Sequence, residues 1–159
     1  MGIKKAVVFG TCGVLEKNIE DCSIIIPDSA VRDEGTGYHY VPASDEIEVN
    51  QKYLGLFTDM LEEMQIHYMV GKVWTTDAFY RETPAKVKRR KEMGCICVDM
   101  ECSANAAVAE FREKDLVQFF YAADNLDAEK WDKRSLSNQA RIEDKDRIAA
   151  IALELATRI

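Results

Sequence analysis

The sequence predicts a single α/β layered domain, because short apolar segments alternate with segments of helical periodicity along the chain. Residues 116–123 are nearly all apolar, which is typical of a strand buried on both faces. The final segment, 142–159, carries four apolar side chains at helical spacing: Ile148, Ile151, Ala152 and Leu155. With 159 residues, no internal repeat and no linker, the chain is expected to form one domain, residues 1–159.

The remaining elements follow from the same periodicities. Further strands are predicted at residues 6–10, 24–26, 68–74 and 95–100. Further helices are predicted at residues 50–66, 84–93 and 101–114. In α/β sheets, ligands bind beyond the carboxyl ends of the strands. The residues that follow each predicted strand are therefore the first candidates for a functional site.

The composition argues against several classes of partner. The chain has 21 basic and 28 acidic side chains and a net charge of -7, which disfavours nucleic acid and anionic membranes. No apolar run approaches membrane-spanning length, and the first residues do not form a secretory signal. Five cysteines, an odd number, predict free thiols in a reducing compartment. We therefore expect a cytoplasmic protein.

Two segments after predicted strands can bind flat or anionic groups. Gly10–Gly13 surrounds the hydroxyl of Thr11 with glycines, and such a segment either presents backbone N–H groups to an anion or forms a plain turn. Phe79 and Tyr80 follow the strand 68–74 and either stack on a flat base or belong to the core. No metal site is expected, because neither histidine has ligand spacing to a cysteine.

Two further segments carry carboxylates. Met100 can pack on the face of a sugar ring while Glu101 accepts hydrogen bonds from adjacent hydroxyls; alternatively, Glu101 faces the dipole of the following helix. Asp124 follows the most apolar strand, where burial suits a carboxyl to act as a general acid, unless it is an ordinary turn residue. Arg141, at the start of the last helix, either pairs with Asp124 or is a solvated charge.

Taken in chain order, these segments resemble the nucleoside phosphorylase family, within the superfamily of purine and uridine phosphorylases and nucleosidases. The residues that carry the resemblance are Gly10–Gly13, Thr76–Tyr80, Val98–Glu101, Asp124 and Arg141. The segment Arg32–Tyr40 also resembles a segment of uncharacterised members. The resemblance implies a three-layer α/β domain with a central mixed sheet.

The resemblance assigns roles on the phosphate and base side of the site. Thr11 would offer its hydroxyl to phosphate, and Cys12 and Gly13 would line the loop beside it and contribute to binding the base. Phe79 would pack on the base.

It also assigns the sugar side and the chemistry. Met100 and Glu101 would bind the ribose, and Asp124 would donate a proton to N7 of a purine with help from Arg141. The implied reaction is phosphorolysis of a purine ribonucleoside to free base and ribose 1-phosphate, with phosphate as co-substrate and no cofactor.

The chain also departs from the family pattern. It begins close to Gly10–Gly13, whereas the family has earlier strands and a glycine-rich phosphate loop upstream, and Val8 stands where the family has an arginine. The run Arg81–Ala85 lacks the glutamine and arginine of uridine-specific members, which favours a purine. The shortened sheet suggests a homo-oligomer or a completing partner chain.

Other functions stay open at this point. The chain could be a hydrolytic nucleosidase, or a non-catalytic or partner-dependent nucleoside-binding remnant. An unrelated doubly wound nucleotide-binding domain is disfavoured because the dinucleotide glycine fingerprint is absent.

Overall fold

Within residues 2–137 and 139–159, which the computed structural model describes, the chain forms six strands and four α-helices. The strands are β1 (Lys5–Val14), β2 (Ile24–Asp33), β3 (Glu46–Glu48), β4 (Tyr68–Thr76), β5 (Cys95–Asp99) and β6 (Asp115–Asn125). The helices are α1 (Leu54–Glu63), α2 (Pro84–Glu92), α3 (Cys102–Phe111) and α4 (Ile142–Arg158). Two short 3-10 helices cover Thr36–His39 and Phe79–Arg81.

The six strands form one mixed sheet in the order β3-β2-β4-β5-β1-β6. The pairs β1–β6, β2–β4 and β4–β5 are parallel, whereas β1–β5 and β2–β3 are antiparallel. A further antiparallel pairing joins Ile24 and Ile25 of β2 to Tyr121 and Phe120 of β6, so the sheet closes on itself. The α/β class and the central mixed sheet are therefore confirmed.

Apolar side chains from α1 and α4 form the largest core cluster with the sheet. Phe57 and Leu61 of α1 meet Phe119 of β6 and the predicted stripe of α4. All four stripe residues are buried, as their helical spacing predicts. A second cluster consists mainly of strand side chains and includes Cys12. Burying these side chains is the main favourable contribution to folding.

Helix α2 is fixed to the sheet by one acidic side chain. Asp33, the last residue of β2, accepts hydrogen bonds from Trp74 Nε1 at 3.0 Å and Lys86 Nζ at 3.3 Å, and Arg90 Nη2 lies 3.0 Å away. Burial alone would raise the pKa of Asp33, but the hydrogen bonds from Arg90, Trp74 and Lys86 lower it on balance. Because Lys86 and Arg90 both belong to α2, this carboxylate sets the position of the helix.

The cysteines agree with the expectation from their number. All five are free: Cys12, Cys95, Cys97 and Cys102 are buried and Cys22 is half-buried. Buried thiols of this kind act as small apolar side chains. Separately, none of the helices in the described part of the chain is both long and apolar enough to cross a membrane.

The prediction of a turn after the first strand was wrong. Gly10–Gly13 lies inside β1, where Gly10, Thr11 and Cys12 pair with Phe120, Tyr121 and Ala122 of β6. A bulge between Cys12 and Gly13 then shifts the register, so that Gly13 lies opposite Asp124. Local sequence favoured a turn because of the two glycines, but pairing with an apolar neighbour strand extended β1 instead.

Three other boundaries differ from the predictions. Strand β2 continues past Pro27, because a bulge between Pro27 and Ser29 absorbs the missing N–H donor. Helix α1 spans Leu54–Glu63, shorter than the predicted 50–66, and the short strand β3 was not predicted. Helix α3 begins at Cys102, so Glu101 is its N-cap residue.

Gly13 occupies a position that a larger residue would crowd. A Cβ atom there would overlap Leu126 Cδ1 and would lie 3.1 Å from Asp124 Oδ1. We expect Gly13→Ala to lower the free energy of unfolding by about 1–3 kcal/mol, because the packed neighbours must move. Gly10→Ala is the matched control, since a Cβ at Gly10 meets nothing within 4 Å. Equal urea midpoints for the two variants would contradict this prediction.

Candidate active site

A cavity of about 1210 Å³ opens where the ends of β1, β5 and β6 meet. Seven of the eight candidate residues from the sequence line it: Thr11, Cys12, Gly13, Phe79, Met100, Glu101 and Asp124. They come from four separate parts of the chain and are brought together by strand pairing. Gly13 pairs with Val98 of β5 on one side and with Asp124 of β6 on the other.

The β1 wall of the cavity offers a hydroxyl and a buried thiol. Thr11 is exposed to solvent, whereas Cys12 is buried and its Sγ lies 3.7 Å from the carbonyl oxygen of Tyr121. The backbone of this segment is engaged in pairing with β6. The segment is therefore a paired strand and not a loop, and the side-chain group that it offers to an anion is the Thr11 hydroxyl.

Met100 and Glu101 form a second wall, and a buried carboxylate fixes their backbone. Asp99 Oδ2 accepts hydrogen bonds from the backbone N–H of Glu101 at 2.9 Å and of Cys102 at 2.6 Å. Asp99 Oδ1 accepts one from Thr75 Oγ1 at 2.7 Å. Burial raises the pKa of Asp99 to about 6, although these hydrogen bonds oppose the shift. Asp99 therefore caps the N-terminus of α3, a role that sequence reasoning missed.

The side chains of Met100 and Glu101 are free to meet a ligand. Met100 is 40% exposed, and Glu101 is exposed with no side-chain hydrogen bond among the described residues. A carboxylate next to a thioether on one cavity wall can accept hydrogen bonds from a polyol while the sulfur packs on its apolar face. Glu101 is the N-cap residue of α3, so its carboxylate also lies at the positive end of the helix dipole, although its side chain makes no cap hydrogen bond.

Asp124 lies at the end of β6, on the opposite side of Gly13 from Val98. Its Oδ2 accepts a hydrogen bond from Trp131 Nε1 at 2.8 Å. Burial raises the pKa of Asp124, and the hydrogen bond from Trp131 opposes that shift. A half-buried carboxyl with a raised pKa that lines a cavity can serve as a general acid.

A second carboxyl, that of Glu82, lines the cavity near Asp124 and was not among the candidates. Burial, and then the charge of Asp124, raise the pKa of Glu82 to about 7, while Lys86 opposes the shift. Because the negative charge of Asp124 raises the pKa of Glu82, the protonation of Glu82 depends on the ionisation of Asp124. Nothing in the local sequence signals this pair, because 42 positions separate the two residues.

Phe79 and Tyr80 lie at the cavity mouth. Their ring centroids are 4.0 Å apart, and Phe79 is 48% exposed. Trp131, 61% exposed, also lines the cavity and was missed by the sequence analysis. Exposed aromatic rings beside a cavity offer stacking surfaces to a planar ligand.

Arg141 is not among the described residues that line the cavity. It is the N-cap residue of α4, has a left-handed backbone conformation, and its Nε pairs with Asp144. The ion pair with Asp144 raises the pKa of Arg141. The structure therefore does not bring Arg141 to Asp124, and a catalytic role for it would need the start of α4 to move.

The cavity lining is acidic, with few cations. Among the described lining residues the cations are Lys88 and Lys91, and Lys91 pairs with Asp127. The hydrogen bond from Lys91 lowers the pKa of Asp127, so that carboxylate stays ionised. In residues 2–137 and 139–159, no group of three or more His, Cys, Asp and Glu side chains is arranged to hold a metal ion.

This arrangement can be compared with known proteins. The sequence profile of the phosphorylase superfamily matches residues 1–159. The chain is 31% identical over 109 residues to a DeoD-type purine nucleoside phosphorylase of Bacillus cereus. That match covers 65% of this chain and 44% of the relative. The corresponding protein of Bacillus mycoides matches at the same identity and coverage.

Two solved structures share the fold. The P knowlesi homolog of P falciparum PNP superimposes with a TM-score of 0.80 at 18% identity, over 99% of this chain and 62% of that one. The AMP nucleosidase of Bacteroides thetaiotaomicron superimposes with a TM-score of 0.72 at 20% identity, over 98% and 61%. This chain thus spans less than two thirds of the length of each. Because the profile matches the whole sequence and the fold agrees, the chain belongs to the phosphorylase superfamily.

Proposed function

We propose that this chain cleaves the N-glycosidic bond of a purine ribonucleoside, by phosphorolysis to free base and ribose 1-phosphate. The observation that carries the proposal is the convergence of Glu101, Phe79 and Asp124 on one cavity. These side chains match the three parts of a nucleoside: hydroxyls, a planar base, and a leaving-group nitrogen that must be protonated. The Bacillus relatives are DeoD-type purine nucleoside phosphorylases, which supports the same chemistry.

Bond cleavage leaves positive charge on the sugar and negative charge on the base. In the proposed mechanism Asp124 carries a proton to the base, which stabilises the leaving group. Glu101 accepts hydrogen bonds from the ribose hydroxyls and fixes the anomeric carbon, while Met100 packs on the ring. Phosphate attacks that carbon from the side of Thr11. The reaction needs no cofactor, and phosphate is a co-substrate.

Hydrolysis is the second candidate, and one observation favours it. Among the described residues that line the cavity there is no arginine, and one of the two lysines is paired with Asp127. A phosphate dianion would therefore meet few partners from this chain alone. An AMP nucleosidase is also among the proteins that share the fold. Binding without turnover, completed by a second copy or another chain, is the remaining alternative.

The deciding experiment measures free base released from inosine, adenosine and uridine, with and without phosphate. Release of base from a purine nucleoside only when phosphate is present supports phosphorolysis. Release that does not depend on phosphate supports a nucleosidase. If no base is released, calorimetry with the same nucleosides separates a binding protein from one with no nucleoside site.

The first prediction of this section concerns Glu101, whose carboxylate is proposed to bind the sugar hydroxyls. Glu101→Ala should abolish detectable ribonucleoside binding by calorimetry and leave the thermal midpoint unchanged, since the side chain makes no hydrogen bond among the described residues. Glu110→Ala is the control, because Glu110 is exposed on α3 and does not line this cavity. Unchanged affinity in the Glu101 variant would mean that the sugar binds elsewhere.

The second prediction concerns the proton donor. Asp124→Asn should lower kcat/KM for base release by about 10²–10⁴-fold while nucleoside binding persists, because an amide cannot donate the proton. Asp127→Asn is the matched control, since Asp127 lines the same cavity but stays ionised beside Lys91. Equal losses in both variants would show that the effect is electrostatic and general, not proton transfer from Asp124.

The third prediction concerns pH and Glu82. The pKa of Glu82 is about 7 in the folded chain against an ordinary value of 4.5, so the folded state holds a proton that the unfolded state loses in this range. Unfolding free energy should therefore fall as pH rises from about 4.5 to 7 and level off above. Glu82→Gln removes this pH dependence. The free energy of unfolding of the variant, relative to that of the parent chain, should therefore increase from about pH 4.5 to 7.

Urea unfolding of both proteins across that pH range measures the effect, and Glu92→Gln on exposed α2 surface serves as the control. A stability difference between Glu82→Gln and the parent chain that does not vary with pH would rule out the raised pKa.

A further inference from the structure

The segment Arg32–Tyr40, which the sequence singles out, contributes no residue to the cavity lining. It begins with the last two residues of β2 and packs against α3, where a Cβ atom at Gly37 would lie 3.4 Å from Ala107 Cβ. Arg32 also attaches it to the residues that follow, since its Nη1 donates to the carbonyl of Pro42 at 2.8 Å and to Ser44 Oγ at 2.9 Å. The guanidinium also stacks on the ring of Tyr38, 4.3 Å from the centroid.

Glu34 is the residue of this segment that connects it to α3. It is 7% exposed, and both of its carboxylate oxygens accept hydrogen bonds: Oε2 from the backbone N–H of Gly37 at 2.8 Å, and Oε1 from Ser103 Oγ at 3.0 Å. Ser103 is fully buried in the first turn of α3. A buried carboxylate with both oxygens satisfied holds its donors firmly, because no water competes for them.

From Ser103 the hydrogen bonds continue to the cavity wall. The backbone N–H of Ser103 donates to Thr75 Oγ1 at 3.0 Å, and Thr75 Oγ1 donates to Asp99 Oδ1 at 2.7 Å. Asp99 Oδ2 accepts from the backbone N–H of Glu101. Thr75, Asp99 and Ser103 are each at most 5% exposed. The four side chains Glu34, Ser103, Thr75 and Asp99 form what we call the buried relay.

We propose that the buried relay is a positioning device for the sugar site, in which Glu34 and Thr75 act through Asp99 to fix the backbone of Glu101 and so aim its carboxylate. This inference rests on the proposed function, since it assumes that Glu101 binds ribose hydroxyls. Glu101 itself has no side-chain partner among the described residues, so its direction depends on its backbone. A small displacement of a carboxylate that positions a substrate weakens its effect by more than the loss of one hydrogen bond would.

The test compares two neighbouring threonines of β4. Thr75→Val keeps the shape of the side chain but removes the hydroxyl that joins Ser103 to Asp99. Thr76→Val is the matched control: Thr76 is equally buried, but its Oγ1 accepts from the N–H of Ala78 at 3.3 Å and lies outside the relay. Glu34→Gln should be tolerated, because an amide can still accept from Gly37 and donate to Ser103 Oγ.

Two measurements give the outcome. In the first, hydrogen exchange followed by NMR should show faster exchange of the Glu101 and Cys102 amides in Thr75→Val, and unchanged exchange in Thr76→Val and Glu34→Gln. In the second, affinities for inosine and 2′-deoxyinosine are compared. Thr75→Val should reduce the preference for the ribonucleoside about tenfold or more, because a misplaced Glu101 loses hydrogen bonds to both hydroxyls of inosine but only the one to the 3′-hydroxyl of 2′-deoxyinosine.

If Thr75 had only a structural role, Thr75→Val would weaken the binding of both nucleosides equally and leave the ratio of the two affinities unchanged. That result would overturn the inference. Unchanged exchange of the two amides would overturn it as well. If the parent chain binds neither nucleoside, the proposed function fails and the inference fails with it. If the parent chain discriminates between the nucleosides and Thr75→Val still does so, the function stands and only the relay is rejected. Should Thr75→Val not fold, Ser103→Ala is judged by the same ratio; it breaks the bond from Ser103 Oγ to Glu34 and keeps the backbone N–H that donates to Thr75.

Discussion

The register of three strands at Gly13 is the constraint on which the candidate site depends. Gly13 of β1 pairs with Val98 of β5 and with Asp124 of β6, so two chain segments far apart in sequence flank one residue without a side chain. The bulge after Cys12 sets this register. Without the bulge, Gly13 would pair with Ala123 instead of Asp124, and the carboxyl of Asp124 would be displaced by one residue along β6.

Side chains that line the cavity occupy the space next to Gly13, which has no side chain of its own. Leu126, Asp124 and Val98 all approach the position where a Cβ would stand. From Val98 the chain continues directly to Asp99, Met100 and Glu101. Glu101, proposed to bind the sugar, follows β5, and Asp124, proposed to protonate the base, lies on β6; both strands pair with β1 in the closed sheet. Rigid attachment of this kind is what a catalytic arrangement requires.

Carboxyl groups that are wholly or partly buried serve three different purposes in this structure. Asp33 is ionised and fixes α2 through Lys86, Arg90 and Trp74. Asp99 accepts backbone N–H groups and caps α3. Asp124 and Glu82 line the cavity with raised pKa values, mainly because burial disfavours their charged forms, and the charge of Asp124 adds to the shift of Glu82. The environment of each carboxyl, not its residue type, decides whether it anchors structure or can exchange a proton.

The sequence by itself determined the α/β class, most helices and strands, and seven of the residues that line the cavity, because apolar periodicity and the order of short segments along the chain are local properties. It could not determine that Gly10–Gly13 continues a strand, since pairing with β6 overrides the glycine signal. It also could not find Glu82, Asp99 or Trp131, whose importance comes from neighbours distant in sequence. Only the tertiary structure decided that Arg141 pairs with Asp144 away from the cavity lining, and that buried hydrogen bonds connect Arg32–Tyr40 to the backbone of Glu101. Burial and long-range pairing set these roles, and neither is encoded in any short stretch of residues.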